Sequence, residues 1–232
     1  MPMPSDLSIV LLSLRIAGLS MAIVIPVGVV TAWLLARKQF PGRFLLEAMT
    51  TLPLALPPVL VGFVLLWGVG GNSWPGKIVN NLFNAEIAFT WIAASLAAAI
   101  VAFPLSVRAF TAAIAGVDPH LETAARGLGA GPVRVFFTIT LPLAYRGLFA
   151  GMLLGFVRAF SEFGATIVVA GNIPGRTQTV PSAIFTRIST GDDAAVWRLA
   201  IVSVVIAVVA LAAHNYLLRR SDTRARAGQV PS

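Results

Sequence analysis

Five stretches of this chain are apolar almost without interruption: 9–36, 52–69, 87–109, 143–170 and 199–218. A helix needs about 20 predominantly apolar residues to cross a bilayer, so the pattern predicts an all-α, polytopic protein with five membrane-spanning helices. They form a single transmembrane domain over 1–232. The second run is the shortest and holds Pro53, Pro57 and Pro58. Prolines remove backbone donors and crowd the preceding turn, which predicts a bent or broken helix there. Between the third and fourth runs lies a segment of another kind, 118–142, which is too polar to span. It begins like a capped helix, with Asp118 as N-cap and Pro119 in the first helical position. The short run that follows ends at Gly127, and Gly129 and Gly131 loosen the next turn. Pro132 restarts a helix, and Leu141-Pro142 leads into the fourth run. A short helix between two breaks is expected to present a compact polar surface to the aqueous phase. A further loop, 171–195, carries Pro174, Gly175 and Pro181, and a short helix is expected at 182–188.

Composition agrees with this reading. Of 232 residues, 57% are hydrophobic and only 11% are charged, against about 25% charged in soluble domains. Cysteine is absent, which excludes disulfides and thiolate metal sites. The net charge of +8 follows from where the cations sit, and no basic, aromatic-interleaved groove suggests nucleic acid. The first eight residues hold no charged leader, so no cleaved signal peptide is expected. The last twelve read as a basic, polar tail.

Lys and Arg mark the cytoplasmic side. Arg37, Lys38 and Arg43 lie between runs one and two. Arg108, Arg126, Arg134 and Arg146 lie between three and four, and Arg219, Arg220, Arg224 and Arg226 follow run five. Only Lys77, Arg176, Arg187 and Arg198 lie on the other side. The bias predicts an N-terminus outside, a cytoplasmic C-terminus and a cytoplasmic 118–142 segment. Trp33, Trp67, Trp74 and Trp91 sit near run ends as interfacial anchors. Arg15, near the outer end of run one, is expected to snorkel.

Run four is the most patterned. Gly147, Gly151, Gly155 and Ala159 recur every fourth residue, and small residues at that spacing let backbones approach closely in lipid. Tight packing within the chain is the main expectation, with a subunit interface as the alternative. The same run carries Arg158 and Glu162, spaced to pair on one helix face. Ionised groups at membrane depth face a bundle interior or a wet cavity. The pair is read as a structural bridge, or as part of a polar pathway or gate with Ser161, Pro57 and Pro58.

No catalytic constellation is present. His120 and His214 are far apart in sequence, and there is no HExxH, GxSxG or GxxxxGK(S/T) motif. The chain is therefore not expected to be an enzyme, to bind a metal, or to bind or hydrolyse ATP itself.

At 122–142 the sequence resembles the cytoplasmic EAA loop of ATP-binding-cassette importer permeases. It reads Glu122-Thr123-Ala124-Ala125, then Gly129, Phe136-Phe137 and Leu141-Pro142, with Thr123 in place of the family's first alanine. The segments ARKQFPGR, LPLALPPVLVGF, RVFFTITLPL and SEFGATIVVAGNIPG narrow the likeness to the molybdate permease subunits of that family. It extends over about 11–218 and is strongest over 121–181. Sulfate and tungstate permeases are close relatives of the same pattern. The resemblance implies a type I importer permease fold in the cell inner membrane and two copies of the chain forming the translocation path. It also implies two cytoplasmic ATPase subunits that use the ATP and a periplasmic oxyanion-binding protein. In this reading Glu122, Thr123, Ala124, Ala125, Gly127 and Gly129 couple the spans to the ATPases, and no cofactor is bound by this chain. The rival classes are a stand-alone channel or secondary transporter, which leaves the capped loop without a purpose, and an intramembrane enzyme. The latter would depend on Arg158 and Glu162, a poor acid–base couple because arginine stays protonated.

Overall fold

The computed structural model describes residues 5–70, 73, 76–77 and 87–227, with side chains up to 218. Every regular element among them is helical. Helix α1 (Asp6–Arg37) starts at Ser5, whose hydroxyl accepts from the Ser8 amide, and ends in extended backbone at Lys38. Its 32 residues are about 48 Å long at 1.5 Å each. Gly42, at φ +92°, turns the chain into α2 (Arg43–Ala55). The chain then breaks at Leu56-Pro57 and resumes as α3 (Pro58–Val69), bent by 112° from α2.

The prolines of the second run predict this break; what differs is the start, since the helical pair begins at Arg43 and not at 52. Two consecutive prolines remove two ladder donors and push the preceding residues out of helical space, so Leu56 and Pro57 are extended (ψ 142° and 132°). Pro53 lies within α2 and does not break it.

Helix α4 (Trp91–Ala115) is the hub. Thr90 caps it by accepting from the Ala93 amide. It begins and ends further along the chain than the expected 87–109, because Thr90 fixes the start and apolar residues continue to Ala115. Its alanines 93, 94, 97, 98 and 102 are fully buried, and it packs against α1 and α6 as well as the α3–α7 region. Helix α5 (Pro119–Gly127) follows. Then α6 (Pro132–Phe160) runs on through a five-residue π-helical segment, Phe136–Thr140.

Here the structure differs from the expected span over 143–170 at both ends. The helix starts eleven residues earlier, at Pro132, because the wide turn accommodates Pro142. That proline has no N–H and would crowd the carbonyl four residues back, while the Leu141 amide reaches the Phe136 carbonyl instead. The helix also stops earlier, at Phe160. Residues 161–163 leave helical geometry, and the chain resumes as the short α7 (Gly164–Ala170). The loop beyond leads to α8 (Val180–Thr190), opened by a reciprocal Thr179–Ser182 cap, where a helix over 182–188 was expected. Helix α9 (Asp193–Ala227) begins before the expected 199, its first turn being too polar to read as a span. Among the described residues four helices are long and apolar enough to cross a membrane, and the bent α2–α3 pair, counted as one broken span, brings the number to five.

Contacts in the bundle use small residues and hydroxyls. The Ser20 hydroxyl lies 2.9 Å from the Ser95 carbonyl, joining α1 to α4, and the Val180 amide donates to Ser13 Oγ at 2.8 Å, joining α8 to α1. The glycines of α6 face α4: a Cβ at Gly147 would lie 2.6 Å from Ala113 Cβ, and one at Gly151 2.8 Å from Ala109 Cβ. One at Gly155 would overlap Ser106 Oγ and press on Met21. The stripe therefore serves packing within the chain. Gly155→Leu should destabilise the bundle by about 1–3 kcal/mol through overpacking, read as a lower unfolding temperature in detergent. An unchanged transition would mean that α6 and α4 can separate freely here.

At the end of the bundle remote from α5, Asp6 accepts from Arg187 Nη2 at 2.6 Å and Arg198 Nε at 2.9 Å. This clamp ties the starts of α1 and α9 to α8.

Candidate functional site

Helix α5 is built as the sequence predicts. Asp118 sits in extended backbone and its carboxylate accepts from the His120 amide at 2.8 Å, with Pro119 next. The helix closes over Leu128, and the Ala130 amide returns to the Ala125 carbonyl at 3.1 Å. Gly129 makes that closure at φ +85°, a left-handed conformation that costs other residues about 1–2 kcal/mol. Gly127 has ordinary helical geometry, and a Cβ there would meet nothing within 4 Å. Of the two glycines, only Gly129 is required by the backbone. Gly129→Val should strain this exit by about 1–2 kcal/mol while leaving the spans folded. An unchanged unfolding transition in detergent would show that the joint tolerates a side chain there.

Glu122 is the centre of the site, and it points inward. Its side chain is 3% exposed. One carboxylate oxygen accepts from Arg37 Nε at 3.0 Å and from the Thr140 hydroxyl at 2.8 Å; the other accepts from Arg126 Nη2 at 3.2 Å. Arg37 also donates to the Val117 carbonyl at 2.6 Å. Three charge-assisted or buried hydrogen bonds thus join the end of α1, helix α5 and the π-helical turn of α6 at one carboxylate. Such bonds are stronger than neutral ones and fix geometry. Trp33 of α1 packs edge-on against Phe136 at 6.0 Å, beside Phe137. Trp33 therefore braces the same junction.

The outward face corrects the expectation of a compact polar surface. Thr123, Ala124 and Gly127 are open and Ala125 is half-buried, but Leu121, Leu128, Val133 and Phe137 are exposed beside them, Leu128 at 91%. Basic Arg126 and Arg134 and the His120 side chain flank them. A face of this kind, apolar and rimmed by charge, marks an interaction surface.

The second group lies at the helix breaks. Arg158 Nη1 is 2.8 Å from Glu162 Oε2, with Glu162 2% and Arg158 30% exposed. The other Glu162 oxygen accepts from the Ala165 amide at 2.9 Å, so this carboxylate both neutralises an arginine and caps α7. Ser161 is exposed and its hydroxyl turns back to the Arg158 carbonyl. The break at Leu56-Pro57 meets the break at 161–163: a Cβ at Gly164 would lie 3.0 Å from Pro58 Cβ, and one at Gly62 2.5 Å from the Ala165 carbonyl. Pro57, Pro58, Arg158, Ser161 and Glu162, singled out separately in the sequence, belong to one region where two interrupted helices touch. Interrupted helices at membrane depth occur where backbone is buried in protein or lines a cavity. Among the described residues no group of three or more acidic, His or Cys side chains is placed to hold a metal.

Sequence reasoning missed Arg37 and Thr140. Arg37 counts in the charge bias, and Thr140 reads as one small residue before a span. Neither carries a local signal, because the contact with Glu122 closes over 85 and 18 residues. Trp74 lies outside the described residues, and Trp67 is 76% exposed, as an interfacial anchor would be.

Residues 24–223 match the family of binding-protein-dependent transport system inner membrane components. The chain belongs to that family. It is thus a membrane component of an importer of this class, resident in the inner membrane. The chain is 48% identical over 217 residues to the molybdenum transport system permease protein ModB of Escherichia coli (strain K12), covering 93% of this chain and 95% of the relative. It is 40% identical over 202 residues to the putative molybdenum transport system permease protein YvgM of Bacillus subtilis (strain 168), covering 87% and 89%. The sulfate transport system permease protein CysT of Escherichia coli (strain K12) is more distant, 35% identical over 85% of this chain and 71% of the relative. In fold, the chain resembles a bacterial ABC transporter that imports the acidic polysaccharide alginate (TM-score 0.67, 16% identity, 94% of this chain and 79% of the other). It also resembles the MetNI methionine ABC transporter in inward-facing conformations (TM-score 0.66, 14% identity, 93% and 94%). The type I importer permease fold expected from the EAA-like loop is the observed one.

Proposed function

We propose that this permease subunit carries molybdate inward, as one of two copies that together form the path. Two cytoplasmic ATPase subunits grip the α5 faces, and a periplasmic oxyanion-binding protein delivers the ion. The N-terminus then lies outside and the C-terminus in the cytoplasm. The observation that carries the coupling role is Glu122, buried and bonded to three elements at once. ATP-driven closure of the ATPases displaces α5, and because α5 shares a carboxylate with α1 and α6, those helices move as a rigid body. Helix α6 ends at the 161–163 break, so motion at α5 reaches the region where α3 and α7 meet. Arg158 and Glu162 hold that region together, and Pro57, Pro58 and Ser161 line it as the pathway or gate. The residues of α5 divide the work: Glu122 anchors, Gly129 shapes the exit, and Thr123, Ala124, Ala125 and Gly127 face the ATPase with Leu121 and Leu128.

Molybdate is favoured because relatives named for molybdenum transport share 40–48% identity with this chain, whereas those named for sulfate share about 34–35%. The complete assembly in liposomes should take up molybdate only with ATP, and tungstate or sulfate less. Flux through the permease alone would instead identify a channel or secondary transporter, and preferred sulfate uptake would reassign the substrate.

A further inference from the structure

At the end of the bundle remote from α5, a cavity of about 270 Å³ opens between α1 and the loop after α7. Arg15 forms one side, with its guanidinium 3.8 Å over the Trp91 ring. It makes no salt bridge among the described residues. Gln178 forms the other side. It is only 7% exposed, its backbone amide donates to the Ile173 carbonyl at 3.1 Å, and its side chain lines the cavity. A side-chain amide that opens on such a space has N–H groups to offer an occupant. Ser8 also lines the cavity, but its hydroxyl proton goes to the Ser5 carbonyl at 2.7 Å. Gly175 leaves the rim bare, since a Cβ there would meet nothing within 4 Å. No carboxylate lines the space. Two donors, one of them cationic and stacked on an aromatic ring, suit a tetrahedral oxyanion.

The remaining wall is apolar. Leu11 and Leu12 line the cavity, and Leu11 is 56% exposed on the bundle's side, as is Leu7 beyond it. Arg15 lies nine residues into α1, about 13 Å along it. With the helix centred on a hydrocarbon core of roughly 30 Å, its Cα falls about 4 Å inside that core, from where a long side chain reaches the headgroup boundary. An occupant must therefore offer a phosphate to Arg15 and Gln178 and an apolar chain to Leu7 and Leu11.

We propose that this cavity binds the phosphate of a phospholipid headgroup in the leaflet remote from α5. The site is independent of the transport reading and needs only that the helices span a membrane. The test uses the full chain assembled with its ATPase, stripped of lipid and titrated with phosphatidylglycerol while native mass spectrometry counts bound lipid. Diacylglycerol, inorganic phosphate and molybdate are titrated in parallel. Phosphatidylglycerol should bind, diacylglycerol should not, and both Arg15→Gln and Gln178→Leu should weaken binding by about tenfold or more. Equal lipid binding by wild type and both variants overturns the site. Tight binding of free phosphate or molybdate, lost in both variants, overturns the lipid assignment in favour of a soluble oxyanion. Should Arg15→Gln fail to assemble, Gln178→Leu alone decides, since it removes the amide and leaves the Arg15–Trp91 stack in place.

Discussion

Glu122→Ala is expected to abolish ATP-coupled uptake while the remaining spans still insert. The substitution removes the acceptor shared by Arg37, Arg126 and Thr140. Arg37, whose side chain is 12% exposed, would keep only the Val117 carbonyl. Breaking a buried pair from one side costs about 3–5 kcal/mol, because the remaining charge stays desolvated. The loss falls at the joint, so α5 should move independently of α1 and α6. ATP hydrolysis by the assembled transporter would continue without transport. Measuring both rates on the same preparation separates this from simple misassembly. Replacing Arg37 and Glu122 together by Leu removes both charges and should recover stability without recovering transport. Uptake at the wild-type rate in Glu122→Ala would show that force does not pass through this carboxylate.

Glu162→Leu should have a comparable effect by a different route. It strands Arg158 at membrane depth and leaves the Ala165 amide without its acceptor. Unpaired ionised groups there cost a few kcal/mol on insertion scales. Both the α6–α7 break and its contact with Pro58 depend on that cap, so assembly yield and uptake should fall together. Arg158→Leu keeps the Ala165 cap but leaves the buried Glu162 carboxylate without its cation, so the difference between the two variants separates the charge role from the capping role. Full yield and full transport in Glu162→Leu would leave the intramembrane pair without function.

Both predictions rest on residues whose partners were unequally legible. Asp118, Pro119 and Gly129 act on their own neighbours, and the sequence showed the capped helix and its exit because capping is local. Pro57 and Pro58 announced a disturbance, but the 112° bend reflects how α3 lies on α7, which no local pattern encodes. The break at 161–163 was hidden: its flanks are apolar, and Ser161, Glu162 and Gly164 read as small or paired positions on a continuous helix. The spacing of Arg158 and Glu162 correctly gave their pairing, yet not the second oxygen's role at Ala165. The glycine stripe showed that α6 packs closely, and the structure supplied the partner, α4. The segment 118–142 read as a polar surface, and the exposure of Leu121, Leu128, Val133 and Phe137 was not legible, since exposure depends on what folds against them.

The π turn at Phe136–Thr140 decides which side chains that outer face carries. Wound at 3.6 residues per turn throughout, α6 would place Thr140 in line with Phe136 or Phe137 and with Val133. The surplus residue brings Val135 under Thr140 instead, where it is 3% exposed, and turns Val133 and Phe137 outward. One wide coil thus gives a single rod two registers: an upstream sticky edge left open for docking, and a downstream glycine seam clasping α4.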